Sequence, residues 1–153
     1  MLLIKPRGEK LFASVTDDKI TPEKRREVWD KLHSMFPDGS MINYYYVSTR
    51  ATDDEKFKAA LDYNKKFPKV AAMYNTLGYY YVARKDNDMA KKQFEKYIEL
   101  YPDGANPYDS MGEFYLNTGD KEKAKKYYTM ALERYPFFPS SVIALDKMDE
   151  GTK

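Results

Sequence analysis

Two stretches of the chain repeat each other at a spacing of 34 residues. Tyr74, Gly78, Tyr81, Asp86, Ala90, Tyr101 and Pro102 recur as Tyr108, Gly112, Tyr115, Asp120, Ala124, Tyr135 and Pro136. Pro68 stands the same distance before Pro102. A unit of this length is too small to bury its apolar face alone, so copies stack and bury it against one another. The period predicts a solenoid of stacked units in place of a globular enzyme, and arrays of this kind bind other proteins.

The helices follow from the residues inside each period. From Asp86 to Tyr101, apolar side chains fall at Ala90, Phe94, Tyr97, Ile98 and Tyr101, the stripe of an amphipathic helix. Asp86 caps its start, and Pro102, which lacks an N–H and clashes with the preceding turn, ends it. One period later Asp120 caps a helix carrying Ala124, Tyr127, Tyr128, Ala131, Leu132 and Tyr135, stopped by Pro136. A first helix precedes each, over Ala71 to Arg84 and Pro107 to Asn117. Pro107 suits a first helical turn, where the missing N–H is harmless. Each unit is therefore two antiparallel helices joined by a short turn such as Asn117-Thr118-Gly119-Asp120.

Gly78 and Gly112 sit mid-helix, where glycine costs roughly 1 kcal/mol against alanine. Their recurrence together with Ala90 and Ala124 predicts close approach of the two helix backbones at the glycine–alanine level, with Tyr81 and Tyr115 filling the space below. Leu77-Gly78, Tyr81, Ala90, Phe94 and Pro102, with Tyr74 in place of the usual tryptophan, resemble the tetratricopeptide repeat, in the form found in bacterial proteins. Met111-Gly112, Tyr115, Ala124, Tyr128, Ala131 and Pro136 resemble it again. Tyr97 departs from the pattern, which has a small residue there, and implies locally wider packing. The resemblance implies an all-α fold: a right-handed superhelical array of antiparallel helix pairs, closed by a C-terminal capping helix.

The flanks are less regular. Thr21-Pro22-Glu23 opens a helix with Val28, Trp29, Leu32, Met35 and Phe36, ending at Pro37-Asp38-Gly39. The same Pro-Asp-Gly follows Tyr101, so 22–36 reads as the second helix of a divergent pair spanning 1–36, its first helix within Leu2 to Val15. A degenerate repeat occupies 40–67, from Ser40 to Ser48 and Thr52 to Lys66, with Thr52 and Glu55 forming a capping-box signature. Repeats at 71–104 and 105–138 follow. A last helix from 139 to 149 sets Val142, Leu145 and Met148 on one face to cover the open end. The whole reads as one domain.

Composition narrows the function. Aromatic residues make up 16% of the chain, including 15 Tyr, enough to fill a core although 33% of residues are charged. A net charge of +2 leaves no footprint for nucleic acid or an anionic membrane. Met1-Leu2-Leu3-Ile4 is too short an apolar run to be a secretory core or to span a membrane, and reads as a helix end. The absence of cysteine excludes disulfides and thiolate chemistry and suits cytoplasm and periplasm alike. One histidine, His33, cannot assemble a nucleophile–base pair or a zinc site alone, and its place on an apolar helix face marks it as structural. Asp17-Asp18 and Asp53-Asp54 stand at helix starts, where negative charge meets the helix dipole. The expectation is a non-enzymatic protein with no cofactor and no metal.

Lys91, Lys92, Lys96, Lys121, Lys123, Lys125 and Lys126, interleaved with Glu95, Glu99 and Glu122, form a solvated outer face. In the runs Tyr44-Tyr45-Tyr46 and Tyr79-Tyr80-Tyr81, one or two rings turn to the core and the remainder is free for a binding surface. The resemblance implies that the first helices line a concave groove. Counted from Ala71 and Ala105, the residues facing it are Ala72, Asn75, Tyr79, Val82 and Ala83, then Asn106, Asp109, Glu113, Leu116 and Asn117. Asparagine amides offer donors and acceptors to an extended peptide. Asp109 and Glu113, one turn apart, favour Lys or Arg on the ligand. The groove has no Lys or Arg in the two clear repeats to grip a terminal carboxylate, as one chaperone-binding branch of the family does. The expected partner is a basic or neutral protein or peptide segment. Self-association, or a scaffold or oligomerisation role within a longer repeat protein or beside an enzyme domain, is the alternative.

Overall fold

The computed structural model describes residues 11, 13–15 and 19–150, and the regular structure among them is all helical. The chain divides into two compact units, Met1–Pro68 and Lys69–Lys153.

In the first unit, residues 11 and 13–15 are helical. They are followed by α1 (Pro22–Met35), α2 (Ser40–Ser48) and α3 (Asp53–Lys66). Met1–Ile4, most of the expected first helix and Asp17-Asp18 lie outside the described residues. Thr21 caps α1 by accepting from the Lys24 N–H at 3.2 Å. Thr52 and Glu55 close a reciprocal capping box on α3. The backbone N–H groups of Thr52 and Ala51 hold the Glu55 carboxyl below the usual carboxylate range. Val15, Val28, Trp29, Leu32 and Ile42 form the buried core, with Leu11, Ile20 and Phe36 against it. Asn43 is buried between α1 and α2, where its amide donates to Pro37 O at 2.8 Å and Gly39 O at 2.9 Å and holds the Pro-Asp-Gly turn shut. His33 is partly buried and stacks on Tyr46 with ring centroids 4.1 Å apart.

The second unit contains α4 (Ala71–Ala83), α5 (Asn87–Leu100), α6 (Ala105–Asn117), α7 (Lys121–Arg134) and α8 (Pro139–Glu150). Asp86 and Asp120 cap α5 and α7, accepting from Met89 N and Lys123 N at 3.1 Å each. The turns before them are built alike. Lys85 has φ 61° where, one repeat later, Gly119 has φ 89°. This left-handed step strains a lysine more than a glycine. The main core gathers Ala90, Phe94, Met111, Phe114, Tyr115, Ala124 and Tyr128, and Leu145 and Met148 of α8 pack against it as expected for a cap. A second cluster sets Ala105, Tyr108 and Ala131 together with Ile98 and Phe138. Lys91, Lys92, Lys121, Lys123, Lys125 and Lys126 are exposed and several are paired with neighbouring carboxylates, as a solvated outer face requires.

The glycine reading needs one correction. A Cβ on Gly78 would overlap the Phe94 ring, and one on Gly112 would lie 2.8 Å from Cδ1 of Tyr128. The helices thus close by seating an aromatic ring of the second helix on the bare backbone of the first, and not through glycine–alanine contact. Ala90 and Ala124 are fully buried one turn earlier. Phe94 has no exposed surface and is packed within the core on which the two helices close. Gly78→Ala is therefore expected to destabilise the protein by about 1–3 kcal/mol through overpacking. This outweighs the roughly 1 kcal/mol that alanine gains from helix propensity. Denaturant titration checks it, and Phe94→Leu in the same chain should recover part of the loss; an alanine variant as stable as the parent would show that the ring yields.

Candidate partner-binding site

All the residues expected to face the groove lie in the second unit, on α4 and α6, which run side by side with α8 beyond them. Much of their polar capacity is spent on one another. Tyr79 donates to Glu113 Oε2 at 2.6 Å, a contact that spans one full repeat from α4 to α6. Ser110, buried on α6, lies beside Tyr79. Burial, reinforced by the hydrogen bond to Glu113, pushes the Tyr79 phenol well above its ordinary value. The Tyr79 ring stands edge-on to Phe94 at 5.2 Å. Lower on the helices, Asn106 Oδ1 accepts from Tyr97 at 3.0 Å and lies 3.4 Å from Asn75 Nδ2. The hydroxyl of Tyr97, the residue that departs from the repeat pattern, thus reaches the start of the next helix.

Asp109 does not face a ligand. It is 7% exposed, and Ser141 of α8 donates to its Oδ1 at 2.6 Å. The expected Asp109–Glu113 pair is therefore divided: Asp109 fastens the last helix, and Glu113 alone is exposed. Val82 and Asn117 line a cavity of about 450 Å³ with Lys85 and Phe114. Leu116 lines a separate cavity of about 360 Å³ with Ala144 and Met148 of α8. Ala72 and Ala83 are exposed. Ser110 and Ser141 escaped the sequence reading, because a serine within a helix gives no pattern until the helix opposite it is known.

What remains for a partner is a shorter row than expected. Glu113 and Asn117 are exposed, and the Asn75 Oδ1 is buried without a hydrogen-bond partner among the described residues. A buried amide oxygen left unpaired costs on the order of 1–3 kcal/mol, which a donor from outside recovers. Among the described residues no three His, Cys, Asp or Glu side chains converge as metal ligands, and no helix is long and apolar enough to cross a membrane.

The family model of the tetratricopeptide repeat matches residues 71–103 and 105–138. These two stretches are tetratricopeptide repeats. No curated protein sequence matches the chain. Among solved structures it resembles the crystal structure of MamA, with a TM-score of 0.76 and 16% identity over 99% of this chain and 86% of that one. A thermophilic tetratricopeptide-repeat protein of Thermus thermophilus aligns with a TM-score of 0.71 and 15% identity, over 92% of this chain and 76% of that one. The Cut9–Hcn1 hetero-tetramer aligns at 0.66 and 16% identity, over 76% of this chain and 23% of that one. At these identities the likeness is one of fold. Tetratricopeptide-repeat proteins are in general non-enzymatic modules that bind protein partners or act as scaffolds.

Two expectations follow from the site. Ser141→Ala leaves the Asp109 oxygen buried without its donor and should cost about 1–3 kcal/mol. Hydrogen exchange should show α8 losing protection before α4–α7; unchanged protection would mean that Asp109 does not hold the helix. The second concerns alkali. Burial, with the charges of Asp109 and Glu113, pushes the Tyr128 phenol up to about 12 from 10.0. In the window between those values the unfolded chain has released the proton and the folded chain keeps it, so stability falls as pH rises. Unfolding measured from pH 9 to 12 should show that decline, and Tyr128→Phe should flatten it; an equal slope in the variant would assign the decline to other groups.

Proposed function

We propose that this chain is a non-catalytic interaction module whose α4–α6 face takes an extended segment of a partner protein, basic or neutral in charge. The observation that carries the reading is the unpaired Asn75 Oδ1, buried on the same row as the exposed carboxylate of Glu113. A main-chain N–H of an extended segment satisfies the first irrespective of sequence. A Lys or Arg side chain pairs with the second, already oriented by Tyr79. The cavity bounded by Val82, Phe114 and Asn117 then receives a small apolar side chain one turn further along.

Self-association is a second reading, favoured by the exposed rings and side chains of Tyr135, Phe137 and Ile143 towards the end of the second unit. The Cut9–Hcn1 relative, itself part of a hetero-tetramer, suits either use of the fold.

The charge of Glu113 separates partner binding from its rivals, and Asp109 is unsuited to that role because its substitution loosens α8. Fluorescence anisotropy with blocked decapeptides bearing Lys, no charge or Glu is expected to rank them in that order. Glu113→Lys should weaken the Lys-bearing peptide about tenfold at low salt, and less at physiological ionic strength, in a chain that stays folded with only the exposed Tyr79 hydrogen bond lost. Equal affinity of parent and variant for that peptide would remove the groove reading. Concentration-dependent sedimentation abolished by Phe137→Ser would put self-association in its place.

A further inference from the structure

The first unit contains a cavity of about 620 Å³ that the interaction reading above does not use. Its walls include Arg25, Arg26, Arg50 and Lys56, and among the described residues no carboxylate lines it. Pro22, Arg25, Arg26 and Trp29 fall on one face of α1, at spacings of three, one and three, and so point to a common side. Opposite them stand Tyr45, Ser48 and Thr49 at the end of α2. None of the four cations occupies a place that faces the groove in the repeat pattern.

The cations differ in how far they are already committed. Arg50 pairs with Asp30, donates through Nε to Tyr46 O at 2.9 Å and lies over the Tyr46 ring. Lys56 meets Asp53 at 3.3 Å. Arg26 donates to Thr49 O at 3.1 Å, which fixes its stem and leaves the end of the guanidinium free of any ion pair among the described residues. The Arg25 side chain has neither an ion pair nor a hydrogen bond among the described residues, and its Nε is buried. A buried guanidinium N–H without an acceptor is costly, and an oxyanion is the acceptor whose geometry it matches. Beside these groups Trp29 and Tyr45 stack at 4.6 Å with ring planes 16° apart. Trp29 is buried under that stack, whereas Tyr45 is 42% exposed and offers an open ring.

We propose that this cavity binds an acidic peptide segment, with Asp or Glu side chains received by Arg25 and Arg26 and a neighbouring apolar or aromatic side chain laid on Tyr45. Carboxylate is favoured over phosphate by the rim of the cavity. The backbone N–H groups of Ala51 and Thr52 would make a phosphate cradle, but both donate to Glu55 Oε2, at 2.8 and 3.1 Å. A dianion would meet the Glu55 charge there with no main-chain donor to offset it. A carboxylate needs only the arginines.

Trp29 is the single tryptophan of the chain, so its fluorescence reports on this cavity alone. The full chain is titrated at low salt with a peptide of alternating Glu and Phe blocked at both ends, with its Lys–Phe counterpart, and with inorganic phosphate. The Glu–Phe peptide is expected to give a saturable change that the other two do not. Arg25→Gln, Arg26→Gln together should weaken it about tenfold or more, the loss expected for charge-assisted hydrogen bonds. Should the double variant melt below the parent because the Thr49 contact is lost, Arg25→Gln alone carries the test and should still weaken binding. Absence of a saturable change with the Glu–Phe peptide, an equal response to the Lys–Phe peptide or to phosphate, or binding unaltered in Arg25→Gln each overturns the proposal. The blocked ends exclude capture of a chain terminus. Glu113→Lys leaves this titration unchanged, so its outcome is independent of the groove.

Discussion

Each helix pair of the second unit closes where a ring rests on a backbone that carries no Cβ. Phe94 over Gly78 and Tyr128 over Gly112 set the distance between paired helices, and the rest of the core is arranged around that distance. Ala90 and Ala124 can be small because the rings one turn on do the filling. The same spacing brings α4 beside α6 closely enough for Tyr79 to reach Glu113 across one repeat. Fully burying a phenylalanine ring is worth about 1.5–3 kcal/mol. That gain exceeds the roughly 1 kcal/mol lost by having glycine within a helix. The local sequence preference is overruled by the contact it permits.

Repetition explains what the sequence made legible. Asp86 and Asp120, followed one turn into each helix by Ala90 and Ala124, located α5 and α7 with their caps, because these signals act within a few residues of where they stand. Thr52 with Glu55 did the same for α3. The fate of Asp109 was not legible. Its burial depends on Ser141, a residue 32 positions away whose helix has no counterpart partner in the periodic pattern. Reading Asp109 by its place in the repeat assigned it to the groove, and only the packing of α8 over that place withdraws it. The ring seats were half legible: the period singled out both glycines, but not whether alanine or an aromatic residue faced them.

The cations of the first unit were hidden for a related reason. Arg25 and Arg26 follow a helix cap and precede a buried tryptophan, so a search for the apolar stripe passes over them as ordinary solvated charge. Their significance comes from the end of α2, whose Tyr45 and Thr49 turn an exposed helix edge into a cavity wall. The two units consequently offer surfaces of opposite sign, one organised around Glu113 and one around paired arginines. On the two proposals made above, a chain with a net charge of only +2 is selective in both senses.

The register of α8 extends the same logic past the last complete pair. Ser141 stands 34 residues after Pro107, and Leu145 34 after Met111, so α8 lies where the first helix of another repeat would lie. At the corresponding glycine place, 34 residues after Gly112, it carries Asp146, which is exposed. A helix docking there as α7 docks on α6 would have to set its aromatic ring onto a carboxylate, exchanging hydration for an apolar contact with a charge. Asp146 thus keeps the helix of the repeat while withholding the bare backbone on which the rings of α5 and α7 rest.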